Sequence, residues 1–253
     1  MLSTEERDRV LVIVLDRPEA RNAIDAETAA GIEAALDRLE SDDQLWIGII
    51  THRGPVFSAG ADLKVVASGG GAGIVTARGG FAGVCKRRRR KPLIAALEGP
   101  AVAGGCEIAL ACDVIVASTA VSFSIPEAKR GLVALAGGPF RLARLVGPKI
   151  ANELVMTGDP LDAQRAYTLG LVNRLVEPGR VLDEALALAE RINENAPIAV
   201  RESLALSAAA FDHDEEGLWA LTEAATRRNT ATEDFKEGPR AFVEKRAPRW
   251  QGR

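Results

Sequence analysis

Glu107 and Glu127 lie twenty residues apart, each at the end of a segment that restrains its own backbone: Gly104-Gly105-Cys106-Glu107 and Ser124-Ile125-Pro126-Glu127. A third segment, Phe57-Ser58-Ala59-Gly60-Ala61-Asp62-Leu63-Lys64, supplies another turn of small residues. Two carboxyl groups can divide proton donation and proton removal between them. Two backbone N–H groups exposed at such turns can stabilise an oxygen that gains negative charge. Parts of this kind move protons at the carbon next to a carbonyl, without a metal or a redox cofactor.

Each segment alone admits a plainer reading. Paired glycines at a helix start let a ligand approach the free amides and the positive end of the helix. They equally serve tight helix packing, with Glu107 only complementing the dipole. Residues 57–64 follow a strand through Arg53-Gly54-Pro55 and lead into a helix, a common ligand-binding turn in α/β folds. They also read as an ordinary turn capped by Asp62, and they lack the Gly-Lys-Ser/Thr ending of a phosphate-binding loop. Pro126 fixes the backbone before Glu127, which suits proton transfer with little reorganisation. Glu127 could instead pair with Lys129 or Arg130.

The elements that must hold these residues alternate. Short apolar runs at Val10–Leu15, Trp46–Thr51, Leu93–Leu97 and Val114–Ala117 suit strands buried on both faces. Helical patterns lie between them. Ala26–Glu40 places Ile32, Leu36 and Leu39 on one stripe, and Gly104–Ala111 reads as a short buried helix. This is an α/β architecture with crossover connections. From Gly138 onward strand signals nearly vanish. Helices are expected at Pro148–Met156, Asp162–Leu169, Arg180–Asn193, Ile198–Phe211, Asp214–Arg228 and Thr232–Lys245, with Asp162 as an N-cap and Gly170 as a stop. The expected division is an α/β core over residues 1–195 and a helical region over 196–253, broken at Ala196-Pro197.

Composition narrows the classes. The chain has 253 residues, 47% of them hydrophobic, and a formal net charge of −3, which argues against a general nucleic-acid binder. Three cysteines and two histidines show no metal-ligand spacing, so no metal site is expected. Cys106 reads as a packing residue, and His52 and His213 receive no role. The first eight residues carry acids where a signal peptide needs bases, and Glu98, Glu107 and Asp113 interrupt the apolar stretch Leu93–Ala117. These features predict a cytoplasmic protein that neither spans nor binds a membrane. The run Lys86-Arg87-Arg88-Arg89-Arg90-Lys91 has no interleaved aromatic residue and reads as a solvated helix end rather than a nucleic-acid site. The glycines of Ser68–Gly73 read as a mobile surface loop, or as a lid that orders over a ligand. Phe235, Phe242 and Trp250 are expected to anchor the C-terminal helices.

Taken together, the segments resemble the crotonase (enoyl-CoA hydratase/isomerase) superfamily over nearly the whole chain. The resemblance starts at Arg17-Pro18-Glu19-Ala20-Arg21-Asn22-Ala23 and runs through Phe57–Leu63, Gly99–Asp113 and Pro126–Gly131. It ends in Glu233-Asp234-Phe235-Lys236-Glu237-Gly238 and Ala241–Arg246. It implies a spiral of β-β-α turns with a C-terminal helical trimerisation region, and homotrimers commonly paired into hexamers.

By motif position, the resemblance implies that the Ala61 and Gly104 amides form an oxyanion hole and that Glu107 and Glu127 are the two catalytic acids. Arg21, Ala23, Ala59, Asp62, Leu63 and Lys64 would line the coenzyme A site, with Arg21 and Lys64 as charge partners for its phosphates. No separate cofactor is implied, because coenzyme A is part of the acyl-CoA substrate. Having both acids favours hydration of a trans-2-enoyl thioester. Isomerisation with one glutamate, or coenzyme A binding without turnover, are the alternatives. One departure stands out: Ala134-Leu135-Ala136-Gly137-Gly138 replaces the Pro-Gly-Ala-Gly-Gly run of many hydratases, and Leu135 could fill acyl space, move an amide or exclude water.

Overall fold

The run Val10–Leu15 shows how this chain builds a sheet covered on both sides. Leu11, Ile13 and Leu15 enter one hydrophobic cluster, while Val10 and Val12 enter another. Alternate residues of a strand point to opposite faces, so a continuous apolar run is buried twice. A computed structural model describes residues 2–67 and 69–253 of the chain, arranged as eleven strands and ten α-helices.

The main sheet orders β1 (Leu2–Arg7), β2 (Val10–Leu15), β3 (Ile47–His52), β6 (Leu93–Leu97), β8 (Val114–Ser118) and β11 (Arg174–Val176). The β1–β2 pair is antiparallel, and every later neighbour is parallel. A smaller layer holds β7 (Ala101–Val102), β9 (Ser122–Ser124) and β10 (Leu161–Asp162). Parallel bridges from Ser58 to Ala101 and from Ile24 to Ala61 extend that layer. A short hairpin joins β4 (Val75–Thr76) to β5 (Gly80–Phe81).

Strands β2, β3 and β6 are each followed by a step into the smaller layer and then by a helix. The chain passes from β2 through Ile24 to α1 (Ala26–Ser41), from β3 through Ser58–Ala61 to α2 (Leu63–Ala67), and from β6 through β7 to α3 (Gly104–Leu110). Repetition of this β-β-α turn winds the spiral. Asp25 starts α1 by accepting the Thr28 amide, and Ile32, Leu36 and Leu39 then face the larger cluster. The remaining helices are α4 (Gly138–Val146), α5 (Pro148–Thr157), α6 (Ala163–Thr168), α7 (Val181–Asn193), α8 (Pro197–Ala209), α9 (Glu215–Thr230) and α10 (Glu233–Val243). The stripe Val181, Ala185 and Ala189 of α7 covers the second face of the main sheet. Glu98 orients α7 by accepting the amides of Gly179 and Val181. Among the described residues, no helix is long and apolar enough to cross a membrane.

The structure corrects several expectations. Strands occur after Gly138: β10 and β11 are two and three residues long, too short for a period-2 pattern to register. The charged segment Leu2–Arg7 is also a strand, because it lies at the sheet edge and only Leu2 is half-buried. The basic run is not a solvated helix end. Arg87 pairs with Asp37, Arg89 with Asp113 and Arg90 with Glu40, while Lys91 is 1% exposed and donates to the Leu39 and Asp42 carbonyls at 2.7 Å. In the glycine-rich segment, Ser68 lies outside the described residues. Gly70–Ile74 forms a 3-10 turn, and Gly73 presses on Ala26, where a Cβ would come within 2.5 Å of the alanine methyl.

At the C-terminus, Asp234 accepts the amides of Gln251 and Gly252, and Glu237 accepts from Arg240, Arg246 and the Arg249 amide. Trp250 anchors this return by donating to the Glu194 carbonyl at 2.7 Å. Phe242 is not an anchor, being 85% exposed.

Replacement of Lys91 tests the structural role of the basic run. Lys91→Ala leaves the buried Leu39 carbonyl without a donor, removes one of the two donors of the Asp42 carbonyl and opens a cavity, so it should lower stability by about 2–4 kcal/mol in urea unfolding. Replacement of the exposed Arg88 by alanine should change stability by less than about 0.5 kcal/mol.

Candidate active site

Two backbone segments touch at the centre of the smaller layer. Gly60 has φ of 83°, and a Cβ there would lie 2.7 Å from the Gly104 amide nitrogen. A Cβ on Gly105 would lie 2.1 Å from the Ser58 carbonyl oxygen. Only glycine permits this contact. The Val102 amide donates to the Ser58 carbonyl at 3.0 Å, and the Ser58 hydroxyl donates to the Asn22 carbonyl at 2.8 Å.

Ala61 sits between two bonded neighbours. The Gly60 carbonyl accepts from Ile24, and the Asp62 amide donates to the Ile24 carbonyl. The amides of Ala61 and Gly104 find no acceptor among the described residues. Ala103, just before Gly104, holds φ 53° and ψ −127°. A side chain in that region carries strain of about 1–3 kcal/mol. The Ala103 amide, bonded to the Ser124 carbonyl at 2.9 Å, helps to hold it there. The Phe81 ring packs on Gly104, where an added Cβ would lie 2.5 Å from two ring carbons.

The seven residues of α3 are all buried, so Glu107 enters the site from the core and is only 3% exposed. Its Oε1 accepts the Ala136 and Gly138 amides, both at 2.8 Å. Burial raises the Glu107 pKa above the ordinary carboxylate value, and the two amides and the Arg141 charge oppose that rise. Glu127 starts the 3-10 turn Glu127–Arg130. Lys129 pairs with Asp159 rather than with Glu127, and the Glu127 Oε2 is buried without a hydrogen-bond partner among the described residues. Burial raises Glu127 to about 7; its own backbone amide opposes the rise, and the neighbouring Glu107 charge adds to it. The arrangement thus offers one carboxyl group gripped through a single oxygen beside another that burial raises to about 7.

The expected coenzyme-lining residues lie on two segments, 21–24 and 59–64, that backbone hydrogen bonds join side by side. The Arg21 carbonyl accepts the Ala59 amide at 3.0 Å, and the buried Ala23 lies between Arg21 and the Ile24 bridge. Lys64 and Leu63 are exposed on α2. Asp62 faces inward to Arg17 at 3.4 Å, and Arg17 also holds the Ala23 carbonyl and Asp25. Arg17 and Asn22 were not singled out as site residues. Asn22 staples the turn by donating to the Arg53 and Val56 carbonyls and accepting the Arg17 amide. Its signal was a polar amide in an otherwise small-residue turn.

The sequence matches the enoyl-CoA hydratase/isomerase family model over residues 5–253. The chain belongs to the enoyl-CoA hydratase/isomerase family. It is 42% identical over 249 residues to a carnitinyl-CoA dehydratase of Salmonella arizonae, covering 96% of this chain and 95% of that protein. An enoyl-CoA hydratase structure from Mycobacterium tuberculosis superposes with a TM-score of 0.96 at 44% identity, covering 100% of this chain and 99% of the other. A carnitinyl-CoA hydratase structure from Mycobacterium avium gives 0.77 at 40% identity, with 100% and 98% coverage. Against the family run, the departure at Leu135 leaves the Glu107 grip in place: Leu135 is 83% exposed, while the Ala136 and Gly138 amides both reach the carboxylate.

Two substitutions probe this geometry through stability. Gly60→Ala combines a left-handed backbone with a clash against the Gly104 amide, whereas Gly69→Ala meets the same kind of backbone in open space. Gly69→Ala should cost about 1 kcal/mol, and Gly60→Ala at least about 1 kcal/mol more, in denaturant unfolding. Glu127 reports through pH. A carboxyl group raised from 4.5 to about 7 on folding contributes stability below its unfolded value, and that contribution is lost as pH rises through about 7. Glu127→Gln does not titrate, so its Tm advantage over the wild type should widen between pH 4.5 and 7.

Proposed function

We propose that this protein adds water reversibly to a trans-2-enoyl-CoA thioester. The observation that carries this reading is the contrast between the two glutamates: Glu107 is gripped by two amides, while Glu127 keeps one buried oxygen without a partner among the described residues and is raised by burial to about 7. Two acids in different surroundings suit a reaction that needs a base and an acid on one substrate.

In this reading the thioester oxygen lies between the Ala61 and Gly104 amides. Attack of water at C3 moves charge onto that oxygen, and one such donor contributes on the order of 3 kcal/mol to the transition state. The Glu107 Oε1 holds the amides, which leaves Oε2 to orient the water and take its proton. Glu127 delivers its proton to C2, the proton that Glu107 took from the water then replaces it on Glu127, and the net change is one water added across the double bond. Arg21 and Lys64 meet the coenzyme phosphates, with Ala23, Ala59, Asp62 and Leu63 along the same two segments. The pair titrates as a unit.

The carnitinyl-CoA dehydratase relative favours a second reading of the same site, in which a carnitinyl thioester loses water by the reverse steps. Isomerisation between C2 and C4 requires only one of the glutamates. We further propose that residues 196–253 form an assembly region separate from the 1–195 core and build a homotrimer, paired into a hexamer, in the cytoplasm. Phe211, Trp219 and Phe242, each more than half exposed in the single chain, support that role.

Turnover of a short enoyl-CoA, a long enoyl-CoA and carnitinyl-CoA, with products identified by mass, tests the reading. The expected product of an enoyl thioester is heavier by one water. Glu107→Gln and Glu127→Gln should each lower kcat by about 10²–10⁴-fold. Hydration by the wild type should decline above about pH 7, where Glu127 loses its proton. Product of unchanged mass with a shifted double bond would move the assignment to isomerisation, and full activity in both variants would remove the glutamates from the mechanism.

A further inference from the structure

Arg141 sits in the first turn of α4, half-buried, with no carboxylate as a partner among the described ion pairs. Its guanidinium donates instead to two carbonyls: Nη1 to Ala136 at 2.8 Å and Nη2 to Cys85 at 2.6 Å. Both contacts matter for the site. The Ala136 carbonyl lies in the chain between the Ala136 and Gly138 amides, the pair that grips the Glu107 Oε1. Cys85 follows the β4–β5 hairpin, whose Phe81 ring packs on Gly104. One cation therefore joins the segment that holds the carboxylate to the segment that walls the amide of Gly104.

We propose that Arg141 is a positioning residue for the reaction, fixing the Ala136–Gly138 amide pair on Glu107 by tying the Ala136 carbonyl to that of Cys85. The planar fork suits the task, because it presents separate N–H groups to two acceptors at a fixed angle, which an ammonium does not. Its charge acts as well. The groups facing Glu107 are Arg141 from α4, Glu127 from the 3-10 turn Glu127–Arg130, and the thiols of Cys106 and Cys85. Both thiols are pushed far above their ordinary range by burial and stay neutral. Arg141 is thus the one cation of this set, and it opposes both burial and the Glu127 charge. Arg144, one turn on, is engaged with Asp212 instead.

The kinetic part of the test rests on the hydration reading, so a second measurement stands apart from turnover. Two variants separate charge from geometry: Arg141→Lys keeps the cation but releases one carbonyl, and Arg141→Gln keeps one donor without the cation. Each is assayed for kcat, KM and pH profile in hydration of a short enoyl-CoA. Each is also titrated by infrared spectroscopy, following the carboxyl band that disappears in Glu107→Gln. For Arg141→Gln we expect kcat to fall about 10²-fold with KM nearly unchanged, the acid limb to move to higher pH, and the Glu107 band to titrate at higher pH. For Arg141→Lys we expect a smaller loss, about 10-fold, with limb and band near the wild type.

Wild-type kcat in both variants overturns the proposal. So does a loss of activity in Arg141→Gln that is equal at every pH with an unmoved Glu107 band, since that is the mark of a purely structural residue. If the wild type adds no water, the hydration reading fails, and Arg141 is judged on the band alone: a shift in Arg141→Gln supports the clamp, and no shift overturns it.

Discussion

The contact between residues 58–61 and 103–105 sets the terms for everything around it. Two main chains can lie this close only if neither carries side chains at the meeting point, and Gly60, Gly104 and Gly105 meet that condition. The contact is where the second and third turns of the spiral come together. Among the described residues it leaves the Ala61 and Gly104 amides without acceptors in the middle of an otherwise bonded layer. Because α3 starts there, its fourth residue, Glu107, must enter the same space from the buried side. The free amides, the buried Glu107 and the spiral geometry therefore share one origin, and none of them can be moved without changing how successive turns pack.

The same region concentrates features that oppose folding. Ala103 holds a backbone angle that suits glycine, the Glu107 carboxyl group is buried, and Glu127 has an oxygen without a partner among the described residues. They persist because the surroundings hold them from several directions. Two apolar clusters cover the main sheet on both faces. Buried cations tie the spiral laterally, with Lys91 and Arg89 bonded to carbonyls of neighbouring elements. A rigid frame lets a few residues remain in states that water or relaxation would otherwise quench.

What could be read from the sequence follows how local each signal is. The long core strands were legible because continuous valine and isoleucine runs admit few other interpretations. The Asp162 cap was legible because its effect reaches three residues along the chain, to the Arg165 amide. The glutamates and the small-residue turns were visible as chemistry, yet only jointly specific, since each alone fits a packing role. The basic run was misread because its partners Asp37, Glu40 and Asp113 come from distant segments. The Ala136 and Gly138 amides were invisible for a similar reason: a backbone N–H leaves no letter in the sequence, and its role depends on a glutamate some thirty residues earlier. Strands β10 and β11 take their identity from the neighbours they join, not from their own two or three residues.

The ends of the main sheet limit how copies of this chain can meet. An open strand edge is a template on which another chain can add, and long flat edges invite uncontrolled growth. Here one end is β1, whose outward residues include Glu5, Glu6 and Arg7, with Glu6 further tethered to Arg38 of α1. The other is β11, three residues long and flanked by the Arg174–Glu184 ion pair. Neither offers a neutral ribbon for strand addition. A second copy of the chain would then have to meet helix and loop surfaces, where shape determines the number of partners and a contact can close on itself instead of extending without end.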